Sequence, residues 1–383
     1  MNCDLSIGNG VGVVVATQVA SSTQGVTRVL GLNNPHALGI VLHAENALIL
    51  GVPYATHLEN WIQTLPETPF DQVGDYARSF RHYLGDIISR TVPETEILRD
   101  YLWSWRQWLC ELRDELDQEG LLTTEGITSF FEERADRFVN GERPTSKKLS
   151  TTVLKRLGQG SWRNVIETEC RRQGGLGIER ASIEGMIEEV FGVHLDERAR
   201  RAMRTWAYLW LGAFHPATSG CRITFVGYGA KSVLPSCDAD KIDGYAFGQL
   251  FFRSRGESTV RSVEQGGDYF LFEVIGKGEG IWPFIKAGGL SQVDSLSSSQ
   301  STANPANVAM TEEEEWANVI RAYSSLTRMN LVDMTSTATR LVGLSNVAQG
   351  TEEKGISPDS RVVTGVITQA DGFRNVDPTY FRP

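Results

Sequence analysis

The 383-residue sequence lacks long hydrophobic runs and a signal-like start, and each absence excludes a class of protein. The longest apolar run near the N-terminus, Val11 to Ala16, is far shorter than the ~20 residues that cross a bilayer, so no membrane span is predicted. The first residues, MNCDLSIGNG, lack a basic segment followed by an apolar one, which predicts no secretory signal peptide. We therefore expect a cytoplasmic protein.

Cysteine and histidine are also scarce, which argues against a disulfide framework, a metal site and the common catalytic motifs. The five cysteines are odd in number, lie far apart and form no CxxC pair, so we expect reduced thiols rather than disulfides or a zinc site. No HExxH or GxSxG motif occurs, and the Gly-rich segments GNGVG and GYGAKS lack the spacing of nucleotide-binding loops. The sequence predicts neither a cofactor nor a metal.

The charge balance is acidic, with 37 basic against 47 acidic residues and a formal net charge of −10. This balance argues against a broad surface for nucleic acid or anionic membranes, although a local basic patch remains compatible with it. A hydrophobic content of 41% is enough to build a core and excludes wholesale disorder. The length fits two or three domains, or one large domain with an insertion.

Hydrophobic patterns divide the chain into strands, helices, strands, helices and strands. Residues 11–20, 26–32 and 37–43 predict an antiparallel meander, and helical spacing follows over 53–65 and 70–90. A long helical region is predicted over 94–212. Strands are predicted again in three later segments: 221–229, 241–253 and 268–276. Because the strands come in hairpins, the pattern favours an α+β or layered sandwich over a doubly wound parallel sheet.

The end of the chain carries sharper local signals. Thr311 and Glu314 form a capping box that predicts a helix start, and residues 312–315 are interpreted as its solvated first turn. A further helix is predicted near 325–341, and Asp371-Gly372 predicts a hairpin turn. The Ser- and Gly-rich segment 288–307 predicts a flexible loop.

The helical region is rich in tryptophan, which leaves two interpretations open. Ile97, Tyr101, Trp105, Trp108, Leu112 and Leu116 form a stripe at helical spacing. Such a stripe is more often core than interface, and we favour core here. The alternative is a helical protein-interaction module, because tryptophan is enriched at binding hot spots. The further tryptophans of this region are Trp103, Trp162, Trp206 and Trp210.

Four blocks of sequence resemble a group of bacterial proteasome-like N-terminal-nucleophile (Ntn) hydrolases, related to proteasome β subunits. The blocks are HALGIVLHAENALILGVPYATHLENWIQTL (36–65), FDQVGDYARSF (70–80), ITFVGYGAKSVLPS (223–236) and VVTGVITQADGFRNVDPTYF (362–381). The resemblance implies an α+β fold, a four-layer αββα sandwich of antiparallel sheets with a large helical insertion. It implies a first part of the sandwich over 1–93, the insertion over 94–215, and a second part over 216–383 that contains the loop 288–307.

The resemblance also implies a chemistry in which an N-terminal Thr, Ser or Cys attacks a carbonyl and its own α-amino group acts as the base. The candidate nucleophile is Cys3, which becomes N-terminal only after two residues are removed. Thr17 stands where a strand-end Asp is expected. Arg28 is the basic residue nearest to the expected Lys, and a permanently charged Arg cannot shuttle protons.

Because all these positions depart from the family pattern, we expect a pseudoenzyme. It would act as an oligomeric or scaffold subunit, either with itself or with a related subunit. Two alternatives stay open: an active peptidase or amidohydrolase that uses a processed Cys3, and the helical interaction module. The sequence predicts no nucleic-acid or membrane partner.

Overall fold

The computed structural model describes twelve segments of the chain, and the statements below concern them. The segments are 3–19, 26–44, 48–139, 189–191, 196–203, 220–246, 248–259, 261–262, 269–276, 281–286, 311–350 and 361–376. The predicted flexible loop 288–307 lies outside them, as does most of the predicted helical region beyond residue 139.

The strands fall into two groups separated by helices. The strands before the first helix are β1 (Cys3–Asn9), β2 (Val13–Val19), β3 (Val26–Leu32), β4 (Leu38–Ala44), β5 (Leu48–Ile49) and β6 (Val52–Pro53). The later strands are β7 (Cys221–Gly227), β8 (Ser236–Ala246), β9 (Gln249–Thr259), β10 (Arg261–Ser262), β11 (Tyr269–Gly276), β12 (Arg361–Thr368) and β13 (Gly372–Val376).

The helices also come in two groups. The first group is α1 (Tyr54–Ile62), α2 (Val73–Thr91), α3 (Glu94–Gln118) and α4 (Thr124–Val139). The second group is α5 (Ile281–Lys286), α6 (Glu312–Arg328) and α7 (Leu331–Gly350). Within the described segments, no helix is both long and apolar enough to span a membrane.

The strands form two main antiparallel sheets, which confirms an α+β fold. Sheet I has the order β10-β11-β1-β2-β12-β13, and sheet II has the order β3-β4-β7-β8-β9. The short strands β5 and β6 pair only with each other. Every recorded strand pairing is antiparallel, as hairpin connections favour.

Three hydrophobic cores place the helices and sheets relative to one another. One core lies between sheet II and α1–α4, and another lies between sheet I and α5–α7. The third joins the facing sides of the two sheets and includes Val15 of β2, Val41 of β4 and Phe373 of β13. Each sheet therefore buries one face against helices and the other against its partner sheet.

The first helical group confirms that the tryptophan stripe of α3 is core. Tyr101 and Trp105 are buried, and Trp105 donates a hydrogen bond from Nε1 to the Tyr101 hydroxyl at 3.2 Å. Trp103 lies on the opposite side of the helix and is exposed. The stripe thus faces the sheet II core because its residues recur every three or four positions.

Three sequence predictions of local structure are wrong. The predicted meander is divided, since β2 joins sheet I whereas β3 and β4 join sheet II. The predicted single strand 241–253 is a hairpin of β8 and β9 around Gly248, whose positive φ of 71° suits glycine. The predicted helix 325–341 is broken at Met329, which is extended, and Asn330 Oδ1 then accepts a hydrogen bond from Asp333 N to cap α7.

Asn9 ties the β1–β2 turn to the helices behind sheet I. Its side chain is fully buried, and Nδ2 donates hydrogen bonds to the carbonyl oxygens of Leu326 at 3.1 Å and Met329 at 2.8 Å. Its Oδ1 accepts a hydrogen bond from Val11 N at 2.9 Å. Because these carbonyls end α6, one amide both shapes the turn and satisfies the helix terminus.

Candidate functional site

The three predicted site residues lie in three different strands. Cys3 is the first residue of β1, and Thr17 in β2 lies opposite Asp4, the next residue along β1. Arg28 lies in β3, where its backbone is opposite that of Leu42. The fold thus brings Cys3 and Thr17 to the same end of sheet I, and it places Arg28 in sheet II.

Strand alternation assigns these positions to different faces. Thr17 shares the face of the β2 valines that contact sheet II, and its side chain is buried. Position 3 has the register of Leu5, which packs against α5–α7. Position 28 has the register of Leu30, which packs against the core under α1–α4. Of the three candidates, Thr17 alone has the register of the space between the sheets.

The space between the sheets changes from apolar to polar along the strands. At one end it is filled by residues of the third core, such as Val13, Val226 and Phe373. Toward the other end, the same inner faces carry polar and charged residues. By register, these positions on sheet I are Asp4, Ser6, Thr17 and Glu273, and on sheet II they are His43, Arg222, Thr224 and Lys241. This polar end is the candidate functional site.

A row of basic residues crosses four neighbouring strands of sheet II at the polar end. His43 of β4 lies opposite Arg222 of β7, Arg222 lies opposite Lys241 of β8, and Lys241 lies opposite Arg253 of β9. Directly paired residues share a face, so the four side chains of this basic row project to the same side. Like charges directly opposite each other are destabilising unless an anion offsets them.

Asp243 offsets part of the charge of the basic row. Its carboxylate accepts two hydrogen bonds from Arg253, each at 2.9 Å, and lies 4.0 Å from Lys241 Nζ. Burial raises the pKa of Asp243 above its usual value, and the Arg253 and Lys241 charges oppose that rise. Gly220 lies beside this group, because a Cβ there would come within 2.8 Å of Lys241 Cε and 3.2 Å of Asp243 Oδ1.

Arg222 differs from its neighbours in the row. Among the residues that the structure describes, none forms an ion pair or a side-chain hydrogen bond with Arg222. Thr224 lies two positions further along the same face and is 1% exposed, and its Oγ1 has no hydrogen-bond partner. A buried hydroxyl without a partner costs free energy. The Arg222 guanidinium and the Thr224 hydroxyl therefore both carry hydrogen-bond donors that no described residue accepts, and they lie on the same face of β7.

Neither Thr224 nor Cys221 has the features of an activated nucleophile. Nucleophilic catalysis needs a base within hydrogen-bond reach of the attacking group, and the Thr224 hydroxyl makes no such bond to His43. Cys221 lies on the helix side of β7, where burial raises the pKa of its thiol well above its usual value. No group of His, Cys, Asp and Glu suited to a metal was found in the described segments.

The blocks that carry the resemblance meet at the opposite, apolar end of the sandwich. His36 Nδ1 lies 3.0 Å from the Tyr76 hydroxyl, which also accepts a hydrogen bond from Phe70 N. Burial raises the pKa of Tyr76 to about 12 and lowers the pKa of His36. Lys231 pairs with Asp71 at 2.6 Å, linking two blocks. These contacts connect two loops of sheet II with α2 and the segment before it, which is a packing role for these block residues.

Comparisons with protein-family models, with curated proteins and with solved structures found no match. Function is therefore inferred from the residues of this chain alone. Sequence reasoning missed the basic row, because its neighbouring members are 12 to 179 positions apart in the chain. Their placement at alternating positions of β-type segments is the one signal in the sequence, and only the strand register brings them together.

Proposed function

We propose that the chain is a cytoplasmic, proteasome-like Ntn-fold protein that is catalytically degenerate and acts as an oligomeric or scaffold subunit. The observation that carries the proposal is the identity of the residues at the positions where the resemblance predicts catalytic groups. Thr17 stands where the resemblance predicts a strand-end carboxylate, and Arg28, the basic residue nearest to the expected Lys, has the register of the helix-facing side of sheet II. Neither a Thr hydroxyl nor a permanently charged Arg guanidinium moves a proton as a carboxylate or a tuned lysine does.

The order of the three cores supports the four-layer αββα sandwich within this proposal. Helices α1–α4 cover sheet II, the sheets face each other, and α5–α7 cover sheet I. The N-terminal strand β1 lies inside sheet I between β11 and β2, so a processed N-terminus would start at the polar end of sheet I, with position 3 in the register of the helix-facing side. That position is the feature which favours the alternative function, an Ntn peptidase or amidohydrolase using Cys3.

The second alternative, a helical interaction module, has one supporting observation. Trp103 of α3 is exposed, and the Arg106 guanidinium lies 6.0 Å from its ring centroid. The stripe on the other side of α3 faces the core, with Trp108 partly buried, so Trp103 offers a single anchor rather than a continuous surface. We therefore rank this module below the scaffold subunit.

An apolar pair on α6 supports assembly. Trp316 and Ile320 lie one helical turn apart, and they are 60% and 55% exposed. Side chains at i and i+4 form one ridge on a helix, and large apolar side chains exposed together are typical of protein-protein contacts. This ridge is the surface that we assign to a second subunit.

Replacing Ile320 with aspartate is expected to convert an assembled protein into a monomer, because the new carboxylate would be buried at the contact without a partner. Light scattering coupled to size-exclusion chromatography measures the solution mass. The matched control is Val233→Asp, since Val233 is 80% exposed and lies on a loop away from α6. A wild-type protein that is strictly monomeric and retains no partner in a pull-down would contradict the scaffold function.

A further inference from the structure

Arg222, Lys241 and Thr224 place two cationic groups and one hydroxyl on the same inner face of sheet II. Arg222 and Lys241 are directly opposite on β7 and β8, and Thr224 follows Arg222 at the next position of that face. We propose that these three residues bind a phosphate-type dianion at the polar end. The inference goes beyond the scaffold function, since ligand binding here depends neither on assembly nor on a processed N-terminus.

The charges at the site favour a dianion. Asp243 already neutralises Arg253 through two hydrogen bonds and lies at the limit of an ion pair with Lys241. Arg222 keeps its full positive charge, since no described residue pairs with it. Two cations in direct cross-strand contact repel each other, and a phosphate group carries close to two negative charges at pH 7. Asp243 reaches Lys241 only at the 4.0 Å limit of an ion pair, so a dianion matches the two charges better than a monovalent carboxylate does.

The donor geometry also fits a tetrahedral oxyanion. An Arg guanidinium presents a rigid fork of N–H donors, and a Lys ammonium adds a compact charge. The Thr224 hydroxyl supplies a neutral donor from a buried position. This role accounts for a hydroxyl at position 224, because the neighbouring inner-face positions are occupied by the apolar side chains of Val41 and Val226. A bound oxyanion would satisfy Oγ1 of Thr224, a buried polar atom that has no hydrogen-bond partner among the described residues.

The cationic side of the site is partly exposed to solvent. The Lys241 side chain is 32% exposed and the Arg253 side chain is 42% exposed, whereas Thr224 is buried. An entering oxyanion would therefore meet Lys241 before Thr224. Gly220 lies beside Lys241 and Asp243, and a Cβ there would collide with both.

The test is calorimetric titration of the full chain with inorganic phosphate at pH 7 and constant ionic strength. We expect saturable binding at one site. Arg222→Gln and Lys241→Gln should each weaken it about tenfold or more, as expected for loss of a charge-assisted hydrogen bond. Thr224→Val, which keeps the shape and removes the hydroxyl, should weaken it several-fold. Lys286→Gln, which removes a positive charge on α5, should leave binding unchanged.

Three results would overturn the assignment. Phosphate that shows no saturable binding would exclude the site. Equal binding by wild type, Lys241→Gln and Thr224→Val would exclude these residues, even where Arg222→Gln fails to fold. Acetate binding as tightly as phosphate would exclude a dianion. Phenyl phosphate distinguishes the source: binding as tight as inorganic phosphate supports a phosphate group carried by a larger molecule, and weaker binding supports the free ion.

Discussion

Replacing Phe373 with alanine is expected to lower the free energy of unfolding by about 3–5 kcal/mol, the range for deleting a buried aromatic ring. Phe373 lies in β13, at the edge of sheet I, and belongs to the core between the sheets. Three glycines on the adjoining strands, Gly31, Gly39 and Gly365, leave the space that its ring fills. The ring therefore joins both sheets, and its loss opens a cavity that rigid backbone cannot collapse into. Urea unfolding followed by tryptophan fluorescence measures the effect.

A double-mutant cycle with Gly31 makes this expectation specific. An alanine Cβ at position 31 would lie 1.7 Å from Phe373 Cδ1, so Gly31→Ala should destabilise the wild type by about 1–3 kcal/mol through overpacking. In the Phe373→Ala background the same change should cost far less, because the ring is absent. Gly343→Ala in α7 is the control, since nothing lies near a Cβ there. Additive effects of Gly31→Ala and Phe373→Ala would contradict the packing of the two sheets.

Arg81→Ala is expected to destabilise the protein by about 3–5 kcal/mol, because it removes the cation beside a carboxylate that is out of water. Arg81 of α2 pairs with Asp240 of β8, whose side chain is 2% exposed. The guanidinium also lies 4.6 Å from the centroid of the Phe252 ring, so alanine removes packing as well as charge. Thermal and urea unfolding at pH 7 measure the loss.

The control for Arg81 comes from the same helix. Arg78 pairs with Asp75 at 2.6 Å, but the Arg78 side chain is largely exposed, so Arg78→Ala should cost at most about 1 kcal/mol. Arg81→Ala combined with Asp240→Asn should recover part of the loss, because a neutral amide is less costly to bury. Equal effects of Arg78→Ala and Arg81→Ala would show that the buried position of the pair has no bearing on stability.

Local signals in the sequence predicted the helix starts and turns that depend on neighbouring residues. The capping box of Thr311 and Glu314 is present, with both reciprocal hydrogen bonds, and α6 begins next to it. The predicted hairpin is present, but its turn spans residues 369–371, and Gly372, at a φ of 74°, is the first residue of β13 and pairs with Thr368. Caps and turns depend on residues that lie within about four positions of one another, so they can be predicted without knowing the tertiary structure.

Strand partners could not be predicted in the same way. The β1 segment CDLSIGN alternates Leu and Ile with polar residues, but it is short and was not predicted as a separate strand. Its partners are β2, nearby in sequence, and β11, about 270 residues away. Alternation shows which residues share a face, but not which sheet that face meets.

The sequence also does not show which residues of the candidate site meet in space. The resemblance points to Cys3, Thr17 and Arg28, but the strand register places these three positions on different faces of the two sheets. Arg222 and Lys241 carry no motif, and they become neighbours only because β7 and β8 pair in this register. A one-residue shift of that register would turn one of the two side chains to the other face of the sheet.

The state of the N-terminus tests the central claim most directly. Intact-mass spectrometry of the purified full-length protein, with N-terminal sequencing, shows whether Cys3 has become the first residue. A catalytically degenerate Ntn-type protein should retain Asn2, with or without Met1, because no α-amino group needs to be freed at Cys3. A chain that begins at Cys3, and loses hydrolase activity on Cys3→Ala, would contradict the account and establish the alternative.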